Sequence, residues 1–315
     1  MSGLAFKNPA RRNDKTTLRR KGYDHRFAEG GQRERNMANG QLVLRSITPN
    51  VGTEICGVNL GQLSDAEAET IRATLIDRKV IVLRDQDITT AQYAAFMQLF
   101  GDTVKEDLVV EEGNPPDVGM LHIQPQQRQT INYWHMDHSF RDLPTRVLSL
   151  HAHRLPPCGG DTLFASLEAA YEGLSDELKQ RLEGLHTLHK VTPTQNTKRR
   201  YTEQQVDAMQ KAPPVTHPLV GLNPHNGRKF LFVNVPIYCR SIAEMQTPQG
   251  DALLHELYQH VQRPEFHFRL TWTPKTLVVW ENVHCLHYPV ADYFPHERKM
   301  WRVVIKATER PVLAE

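Results

Sequence analysis

The sequence predicts a mainly β protein with flanking helices, of the sandwich or jelly-roll kind, preceded by a basic arm. Three observations carry that prediction. Short runs rich in β-branched and aromatic residues recur at 145–152, 162–164, 228–235, 266–272, 276–280 and 301–307. Turn-forming clusters such as Pro156-Pro157-Cys158-Gly159-Gly160 and Asn226-Gly227 separate them. Many short strands joined by turn chemistry are the signature of stacked antiparallel sheets. Two helical periods interrupt this β-rich half, near 176–185 and 248–263.

Taken in order, residues 1–40 hold few large apolar side chains and no helical or strand period, and Gly30-Gly31 and Asn39-Gly40 punctuate them. Ten lysines and arginines fall within the first 36 residues. The segment reads as a flexible or loosely docked basic arm. The globular part, 41–315, opens with Leu42, Leu44 and Ile47 spaced as in a strand. Ser64-Asp65-Ala66-Glu67 is a capping box, and Ala68, Ile71, Leu75 and Ile76 give the following helix its apolar face. Val80-Ile81-Val82-Leu83 reads as a short buried strand. Thr89 and Gln92 form a second capping box, Tyr93, Phe96, Met97 and Phe100 line the helix, and Gly101 stops it. Residues 102–130 read as a polar, irregular loop able to form one wall of a pocket, and 186–225 as a basic, proline-rich lid. Thr247 caps the last helix, with Pro248 in its first turn and Leu253, Leu254, Leu257 and Val261 inward.

Composition narrows the function classes. A net charge of +2 over 315 residues predicts no acidic-polymer partner, nucleic acid included. No apolar run approaches the ~20 residues of a membrane span, and Met1 is not followed by a charged-then-apolar leader. Cys56, Cys158, Cys239 and Cys285 lie far apart with no C-x-x-C pairing, as reduced thiols do, which places the protein in the cytoplasm.

The chemistry concentrates at Tyr133-Trp134-His135-Met136-Asp137-His138. In an extended segment, residues two apart point the same way. His135 and Asp137 then converge on one point, as two ligands of one metal ion. A two-histidine, one-carboxylate triad that leaves other coordination positions open suits iron(II). The third ligand has to come from elsewhere. Trp280-Glu281-Asn282-Val283-His284-Cys285-Leu286-His287 offers two histidines, of which His287 is the preferred one. Beyond it, Arg298 and Arg302 read either as solvated charges on a sheet edge or as guanidinium forks for the far carboxylate of a bound diacid.

These motifs together resemble the taurine dioxygenase (TauD) family of iron(II)- and 2-oxoglutarate-dependent dioxygenases. The likeness runs through Arg84-Asp85-Gln86-Asp87, Trp134-His135-Met136-Asp137, Gly159-Gly160-Asp161-Thr162-Leu163-Phe164, Gly227 to Asn234, Trp280-Glu281-Asn282, His287-Tyr288, Arg298 and Arg302. It spans roughly 41–310. It implies a double-stranded β-helix, the cupin-like form of the jelly roll. It implies His135, Asp137 and His287 as iron ligands, with Thr162 and Arg298 on the 2-oxoglutarate carboxylate. Arg302 is implied as a second arginine near the co-substrate, which in sulfonate enzymes also meets the substrate's anion. The implied cofactors are Fe(II), 2-oxoglutarate and O2, and the implied assembly is a homo-oligomer, a dimer or tetramer.

The expected reaction is hydroxylation of a C–H bond in a small anionic organic substrate, a carboxylate, sulfonate, sulfate ester or aryloxy acid, with release of succinate and CO2. The chain departs from the taurine pattern at Ile131, at Pro236 and across 102–109. Ile131, Pro236 and Arg302 are the candidate substrate positions. The residues leave two rival readings open. One is a zinc or manganese jelly-roll hydrolase or isomerase. The other is a non-catalytic anion-binding module led by the basic arm.

Overall fold

In the computed structural model, the described residues are 42–106, 108–193 and 202–314. The basic arm therefore lies outside them. Strand β1 (Val43–Ser46) and β2 (Thr53–Cys56) lead into α1 (Asp65–Arg78), β3 (Val80–Leu83) and α2 (Thr90–Met97). Then come β4 (Gly119–Ile123), β5 (Val147–Arg154), β6 (Thr162–Ser166), α3 (Leu167–Glu172), α4 (Asp176–Leu182) and β7 (His186–His189). The chain continues through α5 (Glu203–Lys211), β8 (Val215–Pro218), β9 (Val220–Leu222), β10 (Lys229–Leu231), β11 (Cys239–Ile242) and α6 (Pro248–Val261). It ends with β12 (His267–Leu270), β13 (Leu277–Glu281), β14 (Cys285–Pro289), β15 (Arg298–Ile305) and β16 (Val312–Leu313).

A seven-stranded sheet in the order β1-β2-β3-β13-β5-β15-β4 forms one wall, and a three-stranded sheet, β12-β6-β14, forms another. Strand alternation shows how they face each other. Val80, Val82, Val278, Trp280, Met300 and Val304 of the large sheet share one buried cluster with Phe164, Phe268 and Cys285 of the small one. The intervening residues Ile81, Leu83, Leu277, Val279, Val303 and Ile305 point the other way, onto Ile71, Leu75, Tyr93, Phe96 and Met97 of α1 and α2. The period of two thus sorts each strand between an inner core and a helix-covered outer face. Arg298 and Arg302 are in phase with Met300 and Val304, so β15 turns both arginines inward. A third cluster packs α3 and α6 against Trp134, Met136 and the segment 230–233.

Both predicted capping boxes are present, with each N-cap hydroxyl accepting from the N3 amide and the N3 side chain returning to the cap. Other expectations are corrected. The strand expected over 228–235 is confined to β10, because residues after Leu231 leave the ladder to pack around the site. The segment expected to be a lid carries β7, α5, β8 and β9; Thr187 and His189 point inward, and Thr202 and Gln205 make a third capping box that starts α5. The polar segment before the His-x-Asp motif carries the edge strand β4, paired with β15. The strand expected from Leu42, Leu44 and Ile47 is β1; Leu44 is exposed in it, and Ile47 lies just beyond its end, also exposed. Among the described residues the four cysteines are unpaired, and no helix is long and apolar enough to cross a membrane.

Candidate active site

The His-x-Asp segment is not a full strand. It makes a single antiparallel bridge, in which the His135 amide donates to the His287 carbonyl (2.9 Å) and the His287 amide donates back to His135 (2.8 Å). The chain then turns at once, with His138 at φ 58°. One bridge does what the expected strand was to do. It aligns His135 with the middle of β14, so the two imidazole rings stand 4.1 Å apart between centroids. One ligand-type atom each from His135, Asp137 and His287 lie within 4.8 Å of one another. His284, the rival in sequence, turns away to the buried carboxylate of Glu281 at 3.4 Å.

Two asparagines hold the short segment in place. Asn282 accepts from the Asp137 amide (2.9 Å) and donates to the Asp137 carbonyl (2.9 Å) and to the Thr145 carbonyl (2.8 Å). Asn234 accepts from the Met136 amide (3.0 Å) and donates to the Met136 carbonyl (2.9 Å) and to Ser139 Oγ (2.7 Å). A backbone outside a sheet needs such partners when buried. Both asparagines sit in the motifs read from sequence, but nothing in their spacing announced this bracing role.

The protonation states suit a metal. His135 donates Nδ1–H to the Tyr133 carbonyl (2.9 Å), which fixes the tautomer and leaves Nε2 facing Asp137 Oδ1 at 3.3 Å. Burial works against ionising Asp137, but the Arg302 guanidinium and the two histidines outweigh it and hold the carboxyl well below the usual range. Burial, together with His135 beside it, pushes His287 well below the ordinary histidine value. An ionised carboxylate and a neutral imidazole are the forms that bind metal.

On the same strand as Arg302, four residues earlier, Arg298 is 5% exposed, and its Nε and Nη2 have no hydrogen-bond partner among the described residues. Burial lowers its pKa to about 10. Its guanidinium lies over the Trp272 ring at 5.5 Å, and Trp272 Nε1 donates to Thr162 Oγ1 at 3.0 Å. The Thr162 hydroxyl proton is therefore free to donate elsewhere. Gly160, at φ 71°, lets the preceding turn pass close by; a Cβ there would come within 3.2 Å of Tyr293 and 3.5 Å of the Arg298 side chain. Trp272 was not singled out in the sequence, where it reads only as a strand aromatic.

Arg302 is differently placed. Its Nε donates to Glu106 Oε2 (2.5 Å), and its Nη2 donates to Asp137 Oδ2 (2.7 Å) and to Glu106 Oε1 (3.2 Å). Burial opposes its charge, but Glu106 and Asp137 more than offset that and raise its pKa. Glu106 gave no signal in sequence, being one acid among several in a polar stretch. Ile131 and Pro236 are both exposed; the Pro236 carbonyl accepts from Arg240 and the Ile131 carbonyl from Gln129.

A two-nitrogen, one-carboxylate cluster fits a ferrous ion, and the unmatched buried guanidinium donors of Arg298 fit an acidic co-substrate. Known proteins bear out the comparison. The alpha-ketoglutarate-dependent sulfonate dioxygenase of Saccharomyces cerevisiae is 30% identical over 87% of this chain and 68% of its own length. The alpha-ketoglutarate-dependent 2,4-dichlorophenoxyacetate dioxygenase of Burkholderia sp. is 31% identical over 72% of this chain and 81% of its own. The crystal structure of AAD-2 in complex with Mn(II) and N-oxalylglycine superposes with a TM-score of 0.72 at 29% identity, over 86% of this chain and all of that one. Residues 44–304 match the profile described as taurine catabolism dioxygenase TauD, TfdA family, and that span includes every residue of the cluster just described. The chain belongs to that family.

Proposed function

We propose that this chain is an Fe(II)- and 2-oxoglutarate-dependent dioxygenase that hydroxylates a C–H bond of a small organic substrate and releases succinate and CO2. One observation carries the reading: a His-Asp-His cluster within 4.8 Å, in a fold whose strand β15 also buries an arginine with two unmatched donors. In this reading His135, Asp137 and His287 hold the iron, and Arg298 with Thr162 holds the distal carboxylate of 2-oxoglutarate. The bound iron supplies oxygen activation. The protein supplies placement: Asn234 and Asn282 fix the ligand segment, and Tyr133 fixes the His135 tautomer. The relatives' named substrates support a carboxylate, sulfonate, sulfate ester or aryloxy acid as substrate class.

A zinc or manganese hydrolase on the same triad has no use for the Arg298–Thr162 pair and turns over without oxygen. Substrate-dependent oxygen uptake that requires 2-oxoglutarate separates the two. His135→Ala is expected to yield no measurable succinate; succinate at the wild-type rate overturns the assignment. The enzyme domain is taken as 41–315, with 1–40 an accessory arm whose deletion leaves turnover intact. We place the protein in the cytoplasm as a homo-oligomer, which light scattering of the purified full chain checks.

A further inference from the structure

We infer that Glu106 sets specificity by occupying the face of Arg302 that would otherwise receive an anion, so the substrate group presented there is a hydroxyl or an ammonium, and any negative group of the substrate lies elsewhere. The inference rests on the dioxygenase reading and refines its substrate class.

Arg302 Nε is bonded to Glu106, and Arg302 Nη2 is shared between Glu106 and Asp137. The side chain of Arg302 is 9% exposed and that of Glu106 16%. An incoming sulfonate or carboxylate would have to displace Glu106 and leave its carboxylate largely buried without its partner, which is more costly than forgoing one new pair. The bidentate match between guanidinium and carboxylate is already made within the chain.

Nor is Glu106 a surface residue that happened to reach inward. The segment around it is pinned to the same sheet on both sides. The Val104 amide donates to the Val304 carbonyl (2.8 Å), Thr103 bridges Ile305, and the Met120 amide donates to the Val109 carbonyl (2.9 Å). His138 Nε2 stands 4.0 Å from Glu106 Oε1. The acid is thus held in advance beside the metal ligand Asp137. Its oxygens keep lone pairs for a further donor, and two carboxylates flank one guanidinium, so a neutral or cationic donor suits the spot better than an anion.

Arg298 supplies the contrast on the same strand. It faces inward four residues earlier, and its Nε and Nη2 have no hydrogen-bond partner among the described residues.

The test uses the full chain with Fe(II) and 2-oxoglutarate under anaerobic conditions. Ethanesulfonate and ethylammonium serve as probes, followed by the change each makes in the visible charge-transfer band, with calorimetry on the metal-free protein in parallel. Glu106→Ala is expected to bind ethanesulfonate about tenfold to a hundredfold more tightly than wild type, the worth of one freed charge-assisted pair. It is expected to lose ethylammonium binding by a comparable factor. Glu106→Gln, which keeps shape and removes charge, falls between. Adding Arg302→Gln to Glu106→Ala removes the gained sulfonate binding, an outcome a merely structural Glu106 would not produce. Wild type and Glu106→Ala binding the sulfonate equally overturns the inference, as does a gain that survives loss of Arg302. If no band forms in any of these proteins, the dioxygenase reading itself fails. If the band forms and probe preference is unmoved, only the role of Glu106 does.

Discussion

Two regions of this protein bury charge, and they do so in opposite ways. At the junction of α1, α3 and the 223–226 turn, Lys79 Nζ meets Glu168 Oε1 at 2.8 Å, with the two side chains 1% and 6% exposed. Asn223 and Asn226 donate to the same carboxylate at 2.8 and 3.2 Å. Burial lowers the lysine pKa and Glu168 opposes that shift. The charges are matched by the chain itself. On β15, Arg298 is buried as deeply, yet two of its donors have no partner among the described residues. Burying an ion is expensive in either place. A matched pair holds elements together, whereas the unmatched donors of Arg298 are those proposed above to receive the co-substrate.

The comparison can be broken by removing one charge from each region. Glu168→Ala strands Lys79 in the interior and is expected to cost about 3–5 kcal/mol of unfolding free energy, measured by urea denaturation. Loss of under about 1 kcal/mol would show that the pair is not structural. Arg298→Met should do the reverse. Stability is held or raised, because no partner is stranded, while the KM for 2-oxoglutarate rises about tenfold to a hundredfold. A large stability loss with unchanged KM would reverse the assignment of the two regions.

Acid tests a third buried site. Burial holds His189 well below the usual histidine pKa, and it also lowers His217 beside it. Both rings are hydrogen-bonded: Nδ1 and Nε2 of His189 lie 3.1 and 2.9 Å from Ser139 Oγ and Thr187 Oγ1, and His217 Nε2 donates to the Ser139 carbonyl at 2.9 Å. Both are neutral in the fold, while the unfolded chain takes up protons near pH 6.5. The unfolded state therefore binds more protons below that value. Stability is fully present above it and falls as pH drops toward the folded pKa values, by up to about 1.4 kcal/mol per pH unit for each histidine. Urea midpoints at pH 7.5 and 5.5 measure this, and His189→Gln should flatten the slope. The smallest effect belongs to Trp272→Phe. It removes the donor to Thr162 and is expected to weaken 2-oxoglutarate binding by about 1 kcal/mol, roughly fivefold. An unchanged affinity would show that Thr162 needs no such orientation.

Much of this was legible in the residues because it is periodic or local. Short apolar runs divided by turn residues pointed to the sandwich, and S-x-x-E and T-x-x-Q announced α1 and α2. His135 and Asp137 were visible because one extended bridge suffices to align residues two apart. What could not be read depended on contacts across long separations. Glu106 reaches Arg302 across 196 positions, and no local pattern encodes that meeting. Asn234 and Asn282 are polar residues just past apolar runs, and only the fold shows that both grip the Met136–Asp137 peptide. Residues 186–225 misled because their polar and proline content hid Thr187, His189 and His217, which point inward and satisfy one another.

We propose that His135, Asp137 and His287, from two distant segments, share one ferrous ion, and that Arg298 receives the acid bound with it. Anaerobic titration of Fe(II) into the protein with 2-oxoglutarate tests it most directly. A visible charge-transfer band should grow to saturation at a single equivalent of iron, and Arg298→Met should need about tenfold or more additional 2-oxoglutarate to reach the same intensity. No band at saturating iron and co-substrate, or the same co-substrate demand with and without Arg298, would contradict the account.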